Sequence, residues 1–135
     1  MSNKKMILAV DDESDLLLII KTALFSEGYD VVTASNGPDA IALAQEKRPD
    51  LILLDMMMPE MSGFEVLDLL RQGDDTMGIP VIMLTGVSEK GKIRQALDAG
   101  INYYIVKPFE FHDLIAKVKI AIADADGEGP GIPMP

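Results

Sequence analysis

The residues of this chain that could do chemistry stand where apolar runs end. They are Asp11 and Asp12, Asp55, Thr85 and Lys107, which follow residues 6–10, 51–54, 81–84 and 103–106. If these runs are buried strands of one parallel sheet, their carboxyl ends form the edge at which ligands bind in open α/β folds. Carboxylates, a hydroxyl and an ammonium gathered at one edge suit a divalent cation and a phosphoryl group.

Asp55 is the predicted reactive group. A carboxylate can attack phosphorus and form an acyl phosphate, and a cation then offsets the charge on the equatorial oxygens. Mg²⁺ takes one or two carboxylates, keeps several waters and adds phosphate oxygens. Asp12 and Asp55 could bind Mg²⁺ directly, and Asp11 could bind it through water. The backbone carbonyl of Met57, two residues past Asp55, could supply a further oxygen.

Thr85 and Lys107 complete the predicted site. The Thr85 hydroxyl can donate to a phosphoryl oxygen, and Lys107 offers a compact positive charge. Without a metal or a phosphoryl group, we expect Lys107 to pair with the clustered carboxylates.

The elements that must position these residues follow from hydrophobic periodicity. Each apolar run precedes a segment with helical spacing, and strand and helix alternate five times. This alternation is typical of an α/β fold with parallel strands and helices on both faces. Ser62 and Glu65 have the spacing of a capping box. The predicted inward residues are Leu16, Ile20, Ala23 and Leu24 in the first helix and Ile93, Ala96 and Leu97 in the fourth, which is expected to begin at Ser88.

Length and composition limit the classes of protein. The 135 residues fit a single domain. A formal charge of −10, from 22 acidic and 12 basic residues, argues against direct binding to nucleic acid or to an anionic membrane surface. There is no cysteine, no signal peptide and no apolar run long enough to span a membrane. We therefore expect a soluble, cytoplasmic protein.

The end of the chain differs in composition from the rest. The domain is expected to span residues 4–124. Residues 125–135 are rich in Gly and Pro, which predicts a flexible tail or linker.

Four motifs together resemble those of response-regulator receiver domains in two-component signalling. They are Val10-Asp11-Asp12-Glu13, residues 53–63, Leu84-Thr85-Gly86 and Val106-Lys107-Pro108-Phe109. The combination is specific because several residue types must occur in a set order. The resemblance covers residues 4–124 and implies a doubly wound, flavodoxin-like sheet of five parallel strands in the order 2-1-3-4-5, with five helices.

The resemblance also implies a role for each site residue. Asp55 would be the phosphoacceptor, Asp11 and Asp12 the metal-binding acidic pair, and Thr85 and Lys107 the residues that respond to phosphorylation. Tyr104, three residues before the lysine, matches the family's rotating aromatic. A cis peptide between Lys107 and Pro108 is implied as well, since proline lowers the cis penalty.

The implied function is a phosphorylation-activated switch. A sensor histidine kinase or phosphotransfer protein would supply the phosphoryl group through a phosphorelay, and Asp55 would accept it with Mg²⁺ present. The surface that binds an output protein or domain would then change. Such a protein is not an enzyme, except toward its own phosphorylation and dephosphorylation. Nothing in the residues identifies the kinase or the output.

Two departures from the family pattern carry expectations. Asn102, Tyr103 and His112 stand where the winged-helix branch has acids and an arginine, which argues against that branch's salt-bridged dimer and favours a monomer before phosphorylation. Met57 and Val87 cannot hydrogen-bond an attacking water, so we expect slow hydrolysis of the acyl phosphate.

Alternatives from other classes remain at this stage. A phosphatase with an aspartyl nucleophile needs a general acid two residues later, where this chain has Met57. An interaction module that is never phosphorylated would keep the fold without needing all five site residues. A flavodoxin-like cofactor binder is disfavoured because the loop after the first strand is acidic and would repel a phosphate. Taken singly, Asp12 could be a helix cap and Thr85 an ordinary strand residue.

Overall fold

A five-stranded parallel sheet in the order β2-β1-β3-β4-β5 forms the centre of the protein in a computed structural model that describes residues 4–127. The predicted α/β fold and strand order are confirmed. The elements are β1 Met6–Val10, α1 Ser14–Ser26, β2 Asp30–Ala34, α2 Gly37–Lys47, β3 Leu51–Asp55, α3 Gly63–Gln72, β4 Val81–Gly86, a 3₁₀ helix Val87–Lys92, α4 Ile93–Asp98, β5 Tyr103–Lys107 and α5 Phe111–Ala125.

Successive strand residues enter two different cores because side chains alternate across a sheet. Leu51 and Leu53 of β3 pack with α1 and α5 on one face. Ile52 and Leu54 pack with α2, α3 and α4 on the other. Both faces of β3 are therefore covered, which explains why this strand is continuously apolar and fixes Asp55 at its end.

Helix α1 buries Ile20 and Leu24 as predicted, and it also buries Leu17, which was not predicted. Leu17, Ile20 and Leu24 are buried, whereas Leu16 and Ala23 are only partly buried. Five consecutive apolar residues, 16–20, leave the periodicity ambiguous. The start of the helix after Glu13 decides which of them face the sheet.

Helix α3 begins as predicted. Ser62 Oγ accepts a hydrogen bond from the Glu65 N–H, and Glu65 Oε1 accepts one from the Ser62 N–H. This reciprocal capping satisfies two N–H groups that the first turn cannot pair internally. It therefore fixes the point at which the chain turns from the loop after Asp55 into α3.

The predicted fourth helix is wrong in its start and partly in its face. A 3₁₀ helix, Val87–Lys92, precedes a short α4, in which Ala96 is buried but Leu97 is 44% exposed. Residues 87–92 bury no side chain and include Gly91. With no apolar stripe to pack and a poor helix former in the middle, a regular α-helix gains little there.

Arg71 connects α3 to two loops, a contact that the sequence did not predict. Its guanidinium donates hydrogen bonds to the carbonyls of Gly100, Met77 and Ile79. Burial lowers the pKa of this guanidinium. The planar group can bond several carbonyls at once, so it holds the turns before β4 and β5 against α3.

Two further expectations concern the peptide bond after β5 and the end of the chain. The cis peptide between Lys107 and Pro108 is confirmed. Helix α5 ends at Ala125, and residues 128–135 of the predicted tail lie outside the described residues. None of the helices within residues 4–127 is long and apolar enough to cross a membrane.

Candidate functional site

The carboxyl edge of the sheet gathers the predicted site residues. Asp55 ends β3 and pairs with Leu84 of β4, and Thr85 follows Leu84 directly. Thr85 in turn pairs with Val106, the residue before Lys107 on β5. Residues that are far apart in the sequence thus lie at the ends of neighbouring strands.

Three carboxylates form a compact acidic cluster at this edge. Asp11, Asp12 and Asp55 each offer an oxygen, and these oxygens lie within 4.8 Å of one another. Asp11 is 0% exposed and Asp55 5% exposed, whereas Asp12 faces solvent. Asp11 is held in place because its Oδ1 accepts the Glu13 N–H at 2.9 Å.

Lys107 pairs with this cluster, as expected for a site without a metal or a phosphoryl group. Its Nζ lies 2.6 Å from Asp11 Oδ2, 3.5 Å from Asp55 Oδ1 and 3.6 Å from Glu13 Oε1. Burial lowers the pKa of the ammonium, but the hydrogen bond to Asp11 and the charges of Asp55, Asp11 and Glu13 outweigh it, so the pKa is raised overall. Lys107 therefore stays charged at neutral pH.

Asp55 is unusual among the acids of this site. Burial and the nearby Asp11 charge raise its pKa to about 7, with Asp12 adding to the effect, while Lys107 and the Met57 N–H act in the opposite direction. Burial is the largest cause, and the charge of Lys107 does not outweigh it together with the charges of Asp11 and Asp12. A further cation would favour the ionised, nucleophilic form.

The donor set fits a hard divalent cation. All the candidate side-chain ligands are carboxylate oxygens, which Mg²⁺ and Ca²⁺ prefer. The exposed Asp12 leaves room for waters, which Mg²⁺ retains. The Met57 N–H lies 3.4 Å from Asp55 Oδ1, so the Met57 backbone borders the cluster. Coordination by the Met57 carbonyl stays a prediction.

The Thr85 hydroxyl is buried and lacks a hydrogen-bond partner in the described part of the chain. The side chain is 0% exposed, and among residues 4–127 nothing hydrogen-bonds its Oγ1. An unpaired buried hydroxyl is costly, typically about 1–3 kcal/mol. A group that arrives at the sheet edge with spare acceptor oxygens would remove that cost.

Tyr104 lies on β5 opposite Met83 and is 38% exposed. It borders a groove of about 400 Å³ between β5 and α5, together with Asp113, Lys117 and Ile120. The aromatic side chain therefore stands at the surface in this structure, and its rotation stays a prediction.

Gly63 is a site-supporting residue that sequence reasoning did not single out. A Cβ on Gly63 would lie 2.3 Å from the Asp55 carbonyl oxygen and 2.9 Å from the Met56 Cα, both backbone atoms. The Gly63 N–H donates to the Met56 carbonyl at 2.8 Å. Only glycine lets the start of α3 approach the end of β3 this closely. The signal was available, because Gly63 closes the motif that begins at Leu53.

Glu13 was also missed, although it lies within a quoted motif. It contacts Lys107 and borders an apolar cavity of about 310 Å³ whose other lining residues are Leu16, Lys107, Pro108, Phe109 and Phe111. Its acidic side chain adds to the negative field around Lys107.

A family model matches most of the chain. The model of the response regulator receiver domain matches residues 7–119. This range includes every site residue described above.

Curated relatives are similar over the same part of the chain. A probable transcriptional regulator ycf27 of Cyanophora paradoxa is 41% identical over 117 residues, which is 87% of this chain and 48% of the relative. The phosphate regulon transcriptional regulatory protein PhoB of Pseudomonas aeruginosa is 42% identical over 115 residues, which is 85% of this chain and 50% of that protein. The chain thus spans about half the length of the curated relatives it matches.

Solved structures agree with the fold over nearly their whole length. The chemotaxis protein CheY4 of Vibrio cholerae superposes with a TM-score of 0.81 at 33% identity, covering 86% of this chain and 97% of that one. A CheY-like receiver domain protein of Methanospirillum hungatei gives a TM-score of 0.86 at 32% identity, covering 94% and 100%.

Proposed function

Because the chain belongs to the response regulator receiver domain family, we propose that it is a switch activated by phosphorylation of Asp55. The observation that carries the proposal is the position of Lys107, whose ammonium contacts both Asp11 and Asp55 from a strand far along the chain. A partly buried acid cluster paired with one ammonium suits a phosphoryl group that arrives together with a metal ion.

The proposed donor is a phosphohistidine on a sensor histidine kinase or a phosphotransfer protein. An Asp55 oxygen attacks phosphorus, the new O–P bond forms, and the P–N bond to the imidazole breaks. Asp11, Asp12 and Asp55 would hold Mg²⁺, which neutralises charge on the phosphoryl oxygens when bound. Lys107 supplies positive charge from the side of β5.

The response to phosphorylation begins at Thr85 and Lys107. A phosphoryl group brings a charge of about −1.5 to −2 and three acceptor oxygens. The unpaired Thr85 hydroxyl gains an acceptor, and Lys107 exchanges a carboxylate partner for the phosphoryl group. We propose that Tyr104 then turns inward and changes the surface formed by α4, β5 and α5.

Partners follow from this scheme and stay at the level of class. We propose that the receiver domain occupies residues 4–124, is cytoplasmic, does not itself contact nucleic acid and is monomeric before phosphorylation. The output protein or domain is one whose affinity differs between the two surfaces, since only differential affinity can shift the population.

The direct test is phosphoryl uptake. Purified protein is incubated with acetyl phosphate and Mg²⁺, and the intact mass is measured. We expect one phosphoryl group on the wild type and none on Asp55→Asn. An unchanged wild-type mass would favour the interaction module that is never phosphorylated, and turnover of a phosphate ester would favour the phosphatase.

The lifetime of the acyl phosphate is a second expectation. Met57 is 45% exposed and Val87 61% exposed, and neither side chain has a group that can orient a water for attack on phosphorus. We therefore expect the acyl phosphate to hydrolyse slowly compared with other members of this family. The rate is measured as the loss of the mass gain with time. A half-life of a few seconds would contradict this expectation.

A further inference from the structure

Met57 differs from its neighbours in exposure. It is the middle one of three consecutive methionines, and it is 45% exposed, whereas Met56 is 0% and Met58 8% exposed. The Met57 side chain is therefore open to a dissolved oxidant, whereas those of Met56 and Met58 are buried. The backbone of the same residue borders the Asp55 carboxylate.

The Met57 sulfur has an ammonium next to it. Lys92 Nζ lies 3.9 Å from Met57 Sδ, in hydrogen-bonding range for sulfur. This contact joins the loop after β3 to the 3₁₀ helix Val87–Lys92, which buries none of its own side chains. Two exposed segments that flank the site thus meet at one oxidisable atom.

We propose that Met57 is a redox-modification site that controls the lifetime of the acyl phosphate, an inference that rests on the proposed function. The oxidant is hydrogen peroxide or another hydroperoxide. The sulfur lone pair attacks one peroxide oxygen, the S–O bond forms and the O–O bond breaks. Sulfur loses two electrons, the oxygen now bound to sulfur releases its proton, and the departing oxygen takes up a proton and leaves as water or an alcohol. A methionine sulfoxide reductase reverses the change.

Lys92 gives this sulfur an advantage that exposure alone does not. The departing peroxide oxygen gathers negative charge as the O–O bond breaks, and an ammonium can hydrogen-bond it. Met77 is more exposed, at 56%, and is the natural reference. If exposure alone decided the rate, Met77 would be oxidised first; with Lys92 acting, Met57 is oxidised first.

Oxidation places a new acceptor beside the site. A thioether is a weak acceptor, whereas the sulfoxide oxygen is polar and strong. It stands two residues past Asp55, where the unmodified side chain cannot orient a water. The sulfoxide supplies the missing acceptor, so the attacking water is oriented and hydrolysis is faster.

The modification itself is tested by peptide mapping after graded peroxide treatment of the full chain. We expect sulfoxide at Met57 to form about threefold faster than at Met77. Lys92→Leu reverses the order, while Lys90→Leu, which removes a lysine from the same 3₁₀ helix, leaves it unchanged. Oxidation of Met77 before Met57 in the wild type, or an equal effect of both lysine variants, would overturn the proposal.

The regulatory effect is tested on the phosphorylated protein. We expect the half-life of the mass gain to fall about threefold or more after oxidation, and to be restored by the reductase. Met57→Leu loses this sensitivity to peroxide, Met77→Leu retains it, and Met57→Gln shows a shortened half-life without any oxidant. An unchanged half-life of the Met57 sulfoxide form overturns the regulatory effect. It is also possible to observe early oxidation of Met57 in a protein that never takes up a phosphoryl group. That result would support the modification site, but it would overturn both the proposed function and the regulatory effect.

Discussion

At the scale of single residues, two groups of the site are unfavourable where they stand. Asp55 is a buried acid beside two others, and Thr85 has a buried hydroxyl without a partner in the described part of the chain. Functional sites commonly depart from the rules that stabilise the rest of a protein. The departures here share one remedy, because a metal ion and a phosphoryl group would satisfy both.

Thr85→Val tests the cost of the unpaired hydroxyl. Valine has nearly the same shape and removes a polar group that makes no hydrogen bond, so we expect the free energy of unfolding to rise by about 1 kcal/mol. Urea denaturation without a phosphodonor measures it. Thr76→Val is the matched control, since the buried Thr76 hydroxyl donates to the Leu70 carbonyl at 2.7 Å and its loss should destabilise. Equal destabilisation by the two variants would show that Thr85 has a partner.

Asp55→Asn tests the raised pKa. Folding lifts the pKa of this carboxyl from 3.8 to about 7, so between these values the native state binds more protons than the unfolded state. Stability from this group is therefore present at low pH and is lost as pH rises through 7. The shift sets an upper limit of about 4 kcal/mol. Because Asp11, Asp12 and Lys107 are coupled to it, we expect Asp55→Asn to be about 1–3 kcal/mol more stable than wild type at pH 8, and less so at pH 5.

The measurement is denaturation with EDTA present at a series of pH values. Asp74→Asn, at an exposed position, is the control for loss of one negative charge from the whole chain. Wild-type and Asp55→Asn curves that stay parallel from pH 5 to pH 8 would refute the shift.

Part of this residue-level picture follows from the sequence. The pairing of Lys107 with acids was predicted because charges brought to one sheet edge must neutralise each other. That Asp11 is closer than Asp55, at 2.6 Å against 3.5 Å, depends on the path of the loop after β1 and was not predictable. The roles of Thr85 and Tyr104 stay predictions.

At the scale of elements, the first residue of α3 lies against the end of β3. The last residue of β3 carries the carboxylate that we propose as the phosphoacceptor, and Gly63 begins α3 against the carbonyl of the same residue. The capping box from Ser62 to Glu65 fixes the same turn. The position of Asp55 therefore depends on the start of a helix as well as on the sheet.

Gly63→Ala should disturb the contact between the start of α3 and the end of β3. The added Cβ would lie far inside contact distance of backbone atoms that cannot move without shifting β3, so we expect a loss of about 2–3 kcal/mol and slower phosphoryl uptake at Asp55. Urea denaturation and intact mass after acetyl phosphate measure the two effects. Gly78→Ala is the control, because a Cβ there would have nothing within 4 Å. Phosphoryl uptake by Gly63→Ala at the wild-type rate would show that the contact between α3 and β3 does not position Asp55.

The elements differ in how far the sequence predicted them. The inner strands were predictable because burial on both faces demands continuous apolar runs, as in residues 51–54 of β3. The region of α4 was not, because Val87 and Leu97 are apolar but exposed, and periodicity cannot distinguish an exposed apolar residue from a buried one. Nor could it anticipate Arg71, whose acceptors are backbone carbonyls in loops.

At the scale of the whole molecule, negative charge links the site to stability. The chain has a formal charge of −10, and its acidic cluster concentrates part of this charge in a partly buried place. Self-repulsion at high net charge disfavours the compact state. A cation can relieve it in two ways, by screening everywhere or by binding between Asp11, Asp12 and Asp55.

These two effects of a cation can be separated by thermal denaturation. Binding to the native state alone stabilises by RT ln(1 + [L]/Kd), or about 1.4 kcal/mol at ten times Kd. We therefore expect MgCl₂ to raise the melting temperature more than NaCl of equal ionic strength does. Asp12→Asn removes one ligand from the cluster and should bring the MgCl₂ response down to that of NaCl, while Asp74→Asn should keep the difference. Equal effects of the two salts on the wild type would mean that screening alone acts, and that this acidic cluster does not bind Mg²⁺ in the unphosphorylated protein.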